Sequence, residues 1–438
     1  MEKLFGFDRN ETDFKTEIVA GFTTFLAMMY IIVVNPGIIK TAGLPFSGVL
    51  TATILVSAFS SIMMGIYAKN PIALAPGMGL NAFFTYSVVL GMGIKWEVAL
   101  GAVFWSGIIF ILLSVFNIRT YIVRAIPKQI RYAVAAGIGL FISLIGFMNA
   151  KFIVANDATT IGFGKMNIVT TIFILGLFFT SLLVVKRIKG ALILGVLFTT
   201  ILSIPVGRFF GDATQIMGST TLVSWAGISS VPDFSLILKM DLVHSLGLSL
   251  WPVIFAFLFT DMFDSLSTFV GVAEAADLID ENGEPRNIKE SLIVDAVSTT
   301  ISGLFGTSSG TAYIESAAGI EEGGRSGLTA VVAGLLFLPF MFFSPLLSVI
   351  PSIATAPALV LVGAFMMKPI VKINWTKLDD AIPAFLALIL IPATYSITLG
   401  IVWGFLSWTV IKILIGKTNE ITPMLLIIDV FAILALIV

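Results

Sequence analysis

Gly306-Thr307-Ser308-Ser309-Gly310-Thr311-Ala312-Tyr313-Ile314-Glu315-Ser316-Ala317-Ala318-Gly319 stands between long apolar runs, at what its flanks make membrane depth. The stretch is too polar and too rich in glycine to cross lipid as a plain helix. Its small residues and hydroxyls suit an extended segment, after which residues 314–319 can start a half-helix. Irregular backbone is tolerated in a membrane only where protein buries it or where it lines a cavity. Glu315 falls near the start of that half-helix. Free backbone N–H groups and the helix dipole there favour an anionic or hydrogen-bonding partner. A carboxylate in such a place is a functional-site hypothesis by default.

The rest of the chain supplies the membrane context. Of its 438 residues, 58% are hydrophobic and only 12% charged, against about 25% charged in a soluble domain. Mean hydropathy is +1.04. This composition is that of a polytopic membrane protein. A net charge of −1 gives no reason to expect a nucleic-acid partner. The absence of cysteine removes disulfides and thiolate metal sites, and a single histidine cannot make a histidine cluster. No metal or cofactor is therefore expected. Residues 1–15 are polar and of mixed charge, unlike a signal peptide. The first span is expected to serve as the insertion signal.

A span needs roughly 20 apolar residues. Runs of that kind fall near 16–36, 46–68, 76–91, 97–117, 127–148, 168–185, 190–206, 247–273, 288–305, 312–321, 326–346, 354–370, 379–395 and 397–416. That reading makes fourteen, in two groups of seven. The third member of each group is interrupted. One is the opening stretch; the other begins Pro71-Ile72-Ala73-Leu74-Ala75-Pro76-Gly77-Met78-Gly79-Leu80-Asn81. Interrupted segments at matching positions in two halves point to a transporter's binding site. Seven is odd, so the halves have opposite topology, as an inverted repeat requires. With the N-terminus inside, only Lys40, Lys95, Lys151, Lys165, Arg208 and Lys239, of 25 Lys and Arg, fall in outer loops. The positive-inside rule then places both termini in the cytoplasm. Residues 207–246 form the long outer connection between the halves. The acidic-polar loop at 274–290 reads as a solvated cytoplasmic segment. The last run, 423–438, is apolar but short and contains Asp429; it is expected at the interface or against the bundle.

Several side chains could carry chemistry. Asp261 and Asp264 lie three apart in the eighth span, on one helix face. Burying a carboxylate is costly unless it is paired or protonated, and two close together do not comfortably ionise at once. That suits a proton carrier. Asp261 is assigned to the site and Asp264 to coupling. Glu315 is the strongest single candidate for binding and shares the coupling role with Asp261 and Asp264. Asn81 offers a donor and an acceptor at the start of the third span's half-helix, and Gly79 permits close backbone approach. Tyr313, Phe83 and Phe84 could stack on a flat ring, although most of the 37 phenylalanines face lipid or pack. Asp295 reads as a structural pairing and His244 as interfacial. No P-loop pattern is present, so an ion gradient is the expected energy source. Protonatable acids make H⁺ the simplest coupling ion; Na⁺ remains an alternative.

These residues resemble a known family. Phe5-Gly6-Phe7, Phe22-Thr23-Thr24-Phe25-Leu26-Ala27-Met28-Met29-Tyr30-Ile31 with Asn35-Pro36, Ala75-Pro76-Gly77-Met78-Gly79-Leu80-Asn81-Ala82-Phe83-Phe84, Asp261-Met262-Phe263-Asp264 and Tyr313-Ile314-Glu315-Ser316-Ala317-Ala318-Gly319 are similar to AzgA-like purine permeases. That branch belongs to the nucleobase:cation symporter group of xanthine and uracil permeases. The resemblance implies an all-α polytopic fold of two inverted seven-span repeats, with short antiparallel strands in spans 3 and 10. It implies a core domain (16–117 and 247–346) and a gate domain (118–206 and 347–416), joined by the outer connection at 207–246. Residues 417–438 are a C-terminal apolar segment. It places the family's site acids on Asp261 and Glu315, and its third-span Gly and Asn on Gly79 and Asn81. It implies uptake of hypoxanthine, guanine or adenine with protons, and dimers formed through the gate domain. The branch often has Thr where this chain has Ser265, and Pro where it has Gly310.

A purine is flat, with N–H donors and ring acceptors on its edges. Glu315 could accept from one edge in a charge-assisted pairing, Asp261 could face the imidazole edge, and Tyr313 could bound the ring face. An intramembrane aspartyl protease would want a Gly-x-Gly-Asp element that this sequence lacks. An anion carrier of the sulfate-permease kind, with a related inverted architecture, would favour a basic or neutral residue in place of Glu315. Short loops and lean termini suggest a bacterial inner membrane.

Overall fold

Long apolar stretches leave the backbone no hydrogen-bond partner but itself, so they wind into helices. The computed structural model describes residues 2–8, 12–116, 126–156, 159–209, 211, 214, 220–276, 278 and 285–437. Arg9, Arg119 and Arg124 of the cytoplasmic charges, and Asp277, Asp280, Glu281 and Glu284 of the acidic-polar loop, lie outside these residues. Among the described residues, eight helices are long and apolar enough to cross a membrane. Met78–Gly91, Ala191–Ser203 and Gly327–Phe342 are shorter apolar helices.

In chain order, α1 (Phe14–Met28) and α2 (Ile31–Ile39) share the first span. Asp13 caps α1, its carboxylate accepting from Lys15 N and Thr16 N. The helical ladder lapses at Met29 and Tyr30, where Ile32 N reaches back to Met29 O and Val33 N to Tyr30 O. Both residues keep right-handed helical angles, so the lapse tightens the helix rather than ending it. α3 (Phe46–Met63) runs into a π turn at Met64–Ala68. The third span is a strand, β1 (Leu74–Pro76), then α4 (Met78–Ala82) and a π segment at Phe83–Gly91. α5 (Trp96–Val115) and α6 (Lys128–Asn149) follow.

An antiparallel hairpin, β2 (Ile153–Asn156) with β3 (Thr160–Phe163), leads to α7 (Ile168–Val185) and α8 (Ala191–Ser203). The second half holds α9 (Trp251–Ala276) and α10 (Ile288–Phe305). Next come β4 (Gly310–Ala312) and a short helix, α11 (Ser316–Glu321). α12 (Gly327–Phe337), α13 (Ser352–Met366), α14 (Leu378–Thr394) and α15 (Ile397–Leu414) complete the apolar set. The C-terminal helix α16 (Pro423–Ile437) packs on α15 and α9. Thr409 of α15 donates to Asp429 Oδ2 at 2.6 Å, which gives the lone acid of that segment a partner inside the bundle.

The most extensive helix contacts fall into two sets. In one, α12 packs on α1 and α3, α10 packs on α5 and α3, and α9 packs on α5. In the other, α6 packs on α13 and α14, α14 on α15, and α8 on α7 and α13. Lipid tails give little hydrophobic drive between helices, so close backbone approach at small residues matters. Gly107 of α5 shows it: a Cβ there would lie 2.5 Å from Thr300 N of α10. Gly363 of α13 does the same in the second set, where a Cβ would lie 2.3 Å from Gly139 O of α6.

Candidate functional site

The two interrupted stretches meet as a pair of strands. β1 and β4 run antiparallel, with Leu74 opposite Ala312, Ala75 opposite Thr311 and Pro76 opposite Gly310. The pairing extends past both ends, with Tyr313 N to Ala73 O at 3.0 Å and Gly77 N to Ser309 O at 2.9 Å. Residues at the intervening positions turn their polar backbone outward, where side chains meet several of these groups. Leu74 N donates nothing to β4 and instead donates to Ser61 Oγ at 2.9 Å, while the Ser61 hydroxyl lies 3.1 Å from Leu74 O as its donor. Pro76 has no N–H to lose at such a position, and its carbonyl accepts from Tyr313 OH at 2.6 Å. Gly310 O lies 3.1 Å from Thr299 Oγ1. Extended backbone is thus held at membrane depth because every outward group named here has a protein partner.

The carboxylates gather around β4. Glu315 immediately precedes α11, and its Oε1 accepts from Tyr30 OH at 2.7 Å. Tyr30 is the residue at the lapse in the first span. Asp261 of α9 is fully buried, accepts from the Thr299 hydroxyl through Oδ2, and has no hydrogen-bond partner at Oδ1. Asp264, one turn on, is half-buried and within electrostatic range of Glu315. Ser265 Oγ meets Thr311 Oγ1 at 2.6 Å and ties α9 to β4. Asp261, Asp264, Tyr313 and Glu315 therefore converge on one strand crossing.

The third-span residues sit differently. Asn81 is buried in α4, its Nδ2 is 3.7 Å from Met78 Sδ, and its Oδ1 has no partner. Gly79 does provide a close approach, but to another helix: a Cβ there would lie 2.6 Å from Ile138 Cγ2 of α6. Phe83 is buried edge-on against Phe257 of α9, with ring centroids 4.7 Å apart, and Phe84 is buried as well. Asp295 is buried on α10. His244 stands outside the site, with Nδ1 2.6 Å from Asp241 Oδ2. The backbone N–H of His244, with its ring, holds the Asp241 carboxyl below the usual range. Among the described residues, no group of three or more His, Cys, Asp or Glu could hold a metal ion.

Sequence reasoning did not find Tyr30, Thr299 or Thr311. Tyr30 is one hydroxyl in an apolar run, and Thr299 is one of several hydroxyls on α10 beside Ser298, Thr300 and Ser302. The available signal was the demand of the strand crossing for partners, which has no address until the strands are paired.

The model described as "Permease family" (Xan_ur_permease) matches residues 15–406. The chain is 41% identical over 440 residues to the adenine permease AdeP of Escherichia coli (strain K12), covering 100% of this chain and 96% of that protein. It is 42% identical over 440 residues to the guanine/hypoxanthine permease PbuG of Bacillus subtilis (strain 168), covering 97% of each. Among solved structures, the transmembrane domain of the cyanobacterium bicarbonate transporter BicA matches with a TM-score of 0.64 at 14% identity. That alignment covers 90% of this chain and 98% of that domain, and it speaks to the fold alone.

Proposed function

The chain belongs to this Permease family, a multi-pass membrane transport protein rather than an enzyme, and on that premise we propose that it imports purine nucleobases by proton symport. The substrate class is hypoxanthine, guanine or adenine, which full-length relatives carry in their names. The observation that carries the proposal is the convergence of Glu315, Asp261 and Asp264 on a buried strand crossing between two interrupted spans.

In this reading Tyr30 occupies Glu315 Oε1, and a purine N–H donates to Oε2. Asp261 faces the other edge of the base through Oδ1, the oxygen without a protein partner. Asp264 answers to Glu315 and shares the coupling role with Asp261 and Glu315. Asn81 offers its Oδ1 to the base, and Phe83 and Gly79 shape the wall behind it. Tyr313, pinned to Pro76, bounds the ring face.

In this reading the first packing set belongs to a core of spans 1–4 and 8–11 and the second to a gate of spans 5–7 and 12–14, in a proposed fourteen-span architecture. Rocking of one against the other would expose the crossing to each side in turn. The charge asymmetry supports an inside N-terminus, and the short loops suit a bacterial inner membrane. A sulfate-permease-like anion carrier is the alternative, and the fold is shared with BicA, a bicarbonate transporter. Carboxylates at the crossing would repel such a substrate. The test is uptake of labelled adenine, hypoxanthine and guanine in a host lacking nucleobase transport, with and without a protonophore. Uptake of none of them would sink the substrate class; uptake indifferent to the protonophore and to pH would sink proton symport.

A further inference from the structure

One hydroxyl on α10 faces two acceptors. Thr299 Oγ1 bonds Asp261 Oδ2 and lies 3.1 Å from Gly310 O. A threonine hydroxyl carries a single proton, so it cannot donate to both at once. The strand register explains why Gly310 turns to Thr299. The bonds from Tyr313 N to Ala73 O and from Gly77 N to Ser309 O set which residue pairs exchange hydrogen bonds. Pro76 and Gly310 fall at the alternate, non-bonded position. Gly310 O therefore points away from β1, toward α10. Asp261 and Thr299 are 0% and 1% exposed, and Gly310 is buried too, so water is not at hand to replace the hydroxyl.

We infer that Thr299 is a positioning residue that transmits the protonation state of Asp261 to strand β4. When Asp261 is ionised, the Thr299 proton points at the carboxylate and Gly310 O receives none. When Asp261 takes up a proton, its new O–H donates to Thr299 Oγ1, and the Thr299 proton turns to Gly310 O. The O–H bond on Asp261 is the only covalent bond made, and its proton comes from whichever aqueous side the crossing then faces. The protonated state ties β4 to α10, and the ionised state releases it. Beyond β4 the chain passes through Tyr313 to Glu315, so the strand's tether reaches the residue assigned to the base. A buried carbonyl left without a donor disfavours the state that leaves it so, which makes the tether energetically consequential.

The groups facing Asp261 are few. Asp264 on its own helix is the charge within its range, and Asp264 interacts in turn with Glu315. From β4, the Thr311 side chain reaches Asp261 and is held by Ser265. On α10, Asp295 is buried one turn before Thr299. The inference rests on the proton-symport reading above.

The experiment measures labelled adenine and hypoxanthine binding to the full-length protein across pH, together with pH-driven accumulation in proteoliposomes. Wild-type affinity should change on the order of tenfold between the protonated and ionised states. In Thr299→Val, of similar shape but without the hydroxyl, that change should shrink to within about twofold. Accumulation should fall while counterflow exchange continues, and Thr299→Ser should restore both. If Thr299→Val does not insert, Thr299→Ala is judged by the same criteria. A wild type that binds base without responding to pH sinks proton symport and this inference together. A responsive wild type beside an equally responsive Thr299→Val, or a folded Thr299→Ser that has lost its response, sinks the inference alone.

Discussion

Tyr30 donates a 2.7 Å hydrogen bond to Glu315, joining the lapse in the first span to the residue that opens α11. The bond links residues 285 positions apart and fixes one oxygen of the carboxylate proposed to receive the base. Removing it in Tyr30→Phe should weaken purine binding about tenfold, as expected for a hydrogen bond to a charged group. The double variant Tyr30→Phe/Glu315→Gln should be little worse than Glu315→Gln, because the two residues act as one unit. Additive losses in the binding constants would separate them.

Glu315→Gln keeps the size of the side chain and removes its charge. An N–H edge would lose a charge-assisted bond of about 1.5–3 kcal/mol, so affinity should fall on the order of tenfold to a hundredfold. Equilibrium binding to purified protein checks this. A normally expressed variant with wild-type affinity would remove Glu315 from the site.

Gly79→Val meets a wall rather than open space, since even a Cβ would lie 2.6 Å from Ile138 Cγ2. The contact joins α4, which follows strand β1, to α6 of the second packing set, so the expected defect is in movement between them. Uptake should be lost while membrane insertion persists. Ile138→Ala in the same chain should recover part of the uptake by making room. A Gly79→Val variant transporting at the wild-type rate would show that this contact opens during the cycle.

How much of this was readable beforehand follows from where polar residues stand. The interruptions at 71–81 and 306–319 were legible because Gly, Pro and hydroxyls break an apolar pattern. Their register was not, since three-residue strands carry no periodicity. The hairpin was not legible either, because a strand as short as Ile153–Asn156 is easily read as loop. Glu17 shows the limit most clearly. It is fully buried and accepts from Arg325 N at 2.8 Å, Ser326 N at 3.0 Å and Thr329 N at 3.1 Å, serving the N-terminus of α12. No local pattern announces a cap supplied from so far along the chain. Lys412, counted as a cytoplasmic charge, is likewise fully buried at the end of α15.

That lysine should matter for stability. Its Nζ lies 2.7 Å from Asp379, 3.0 Å from Asp380 and 2.7 Å from Glu420, joining α14, α15 and the turn before α16. Removing one partner of a buried ion pair costs about 3–5 kcal/mol. Lys417 at 2.8 Å from Asp379 and Lys377 at 2.7 Å from Asp380 should hold the loss in Lys412→Met to the lower end, about 3 kcal/mol. Thermal unfolding in detergent should show a clearly lowered midpoint. An unmoved midpoint would mean that the two remaining lysines suffice.

Asp264 should separate movement from coupling. It lies one turn beyond Asp261 and within range of the Glu315 charge, yet Tyr30 takes its hydrogen bond to Glu315 rather than to Asp264. Asp264→Asn fixes that position in a neutral state without removing Glu315 or Asp261. If Asp264 carries the coupling proton, pH-driven accumulation should fail, because no proton can be loaded outside and released inside. Exchange of purine across the membrane should continue, since it needs movement but no net proton transfer. Asp261→Asn should differ by weakening binding as well. Counterflow and pH-driven uptake in proteoliposomes read these two activities separately. Loss of both in a folded Asp264→Asn would make the residue part of the binding site or the gate. Full pH-driven accumulation in that variant would clear it and leave Asp261, through Thr299, or Glu315 as the group that carries the proton.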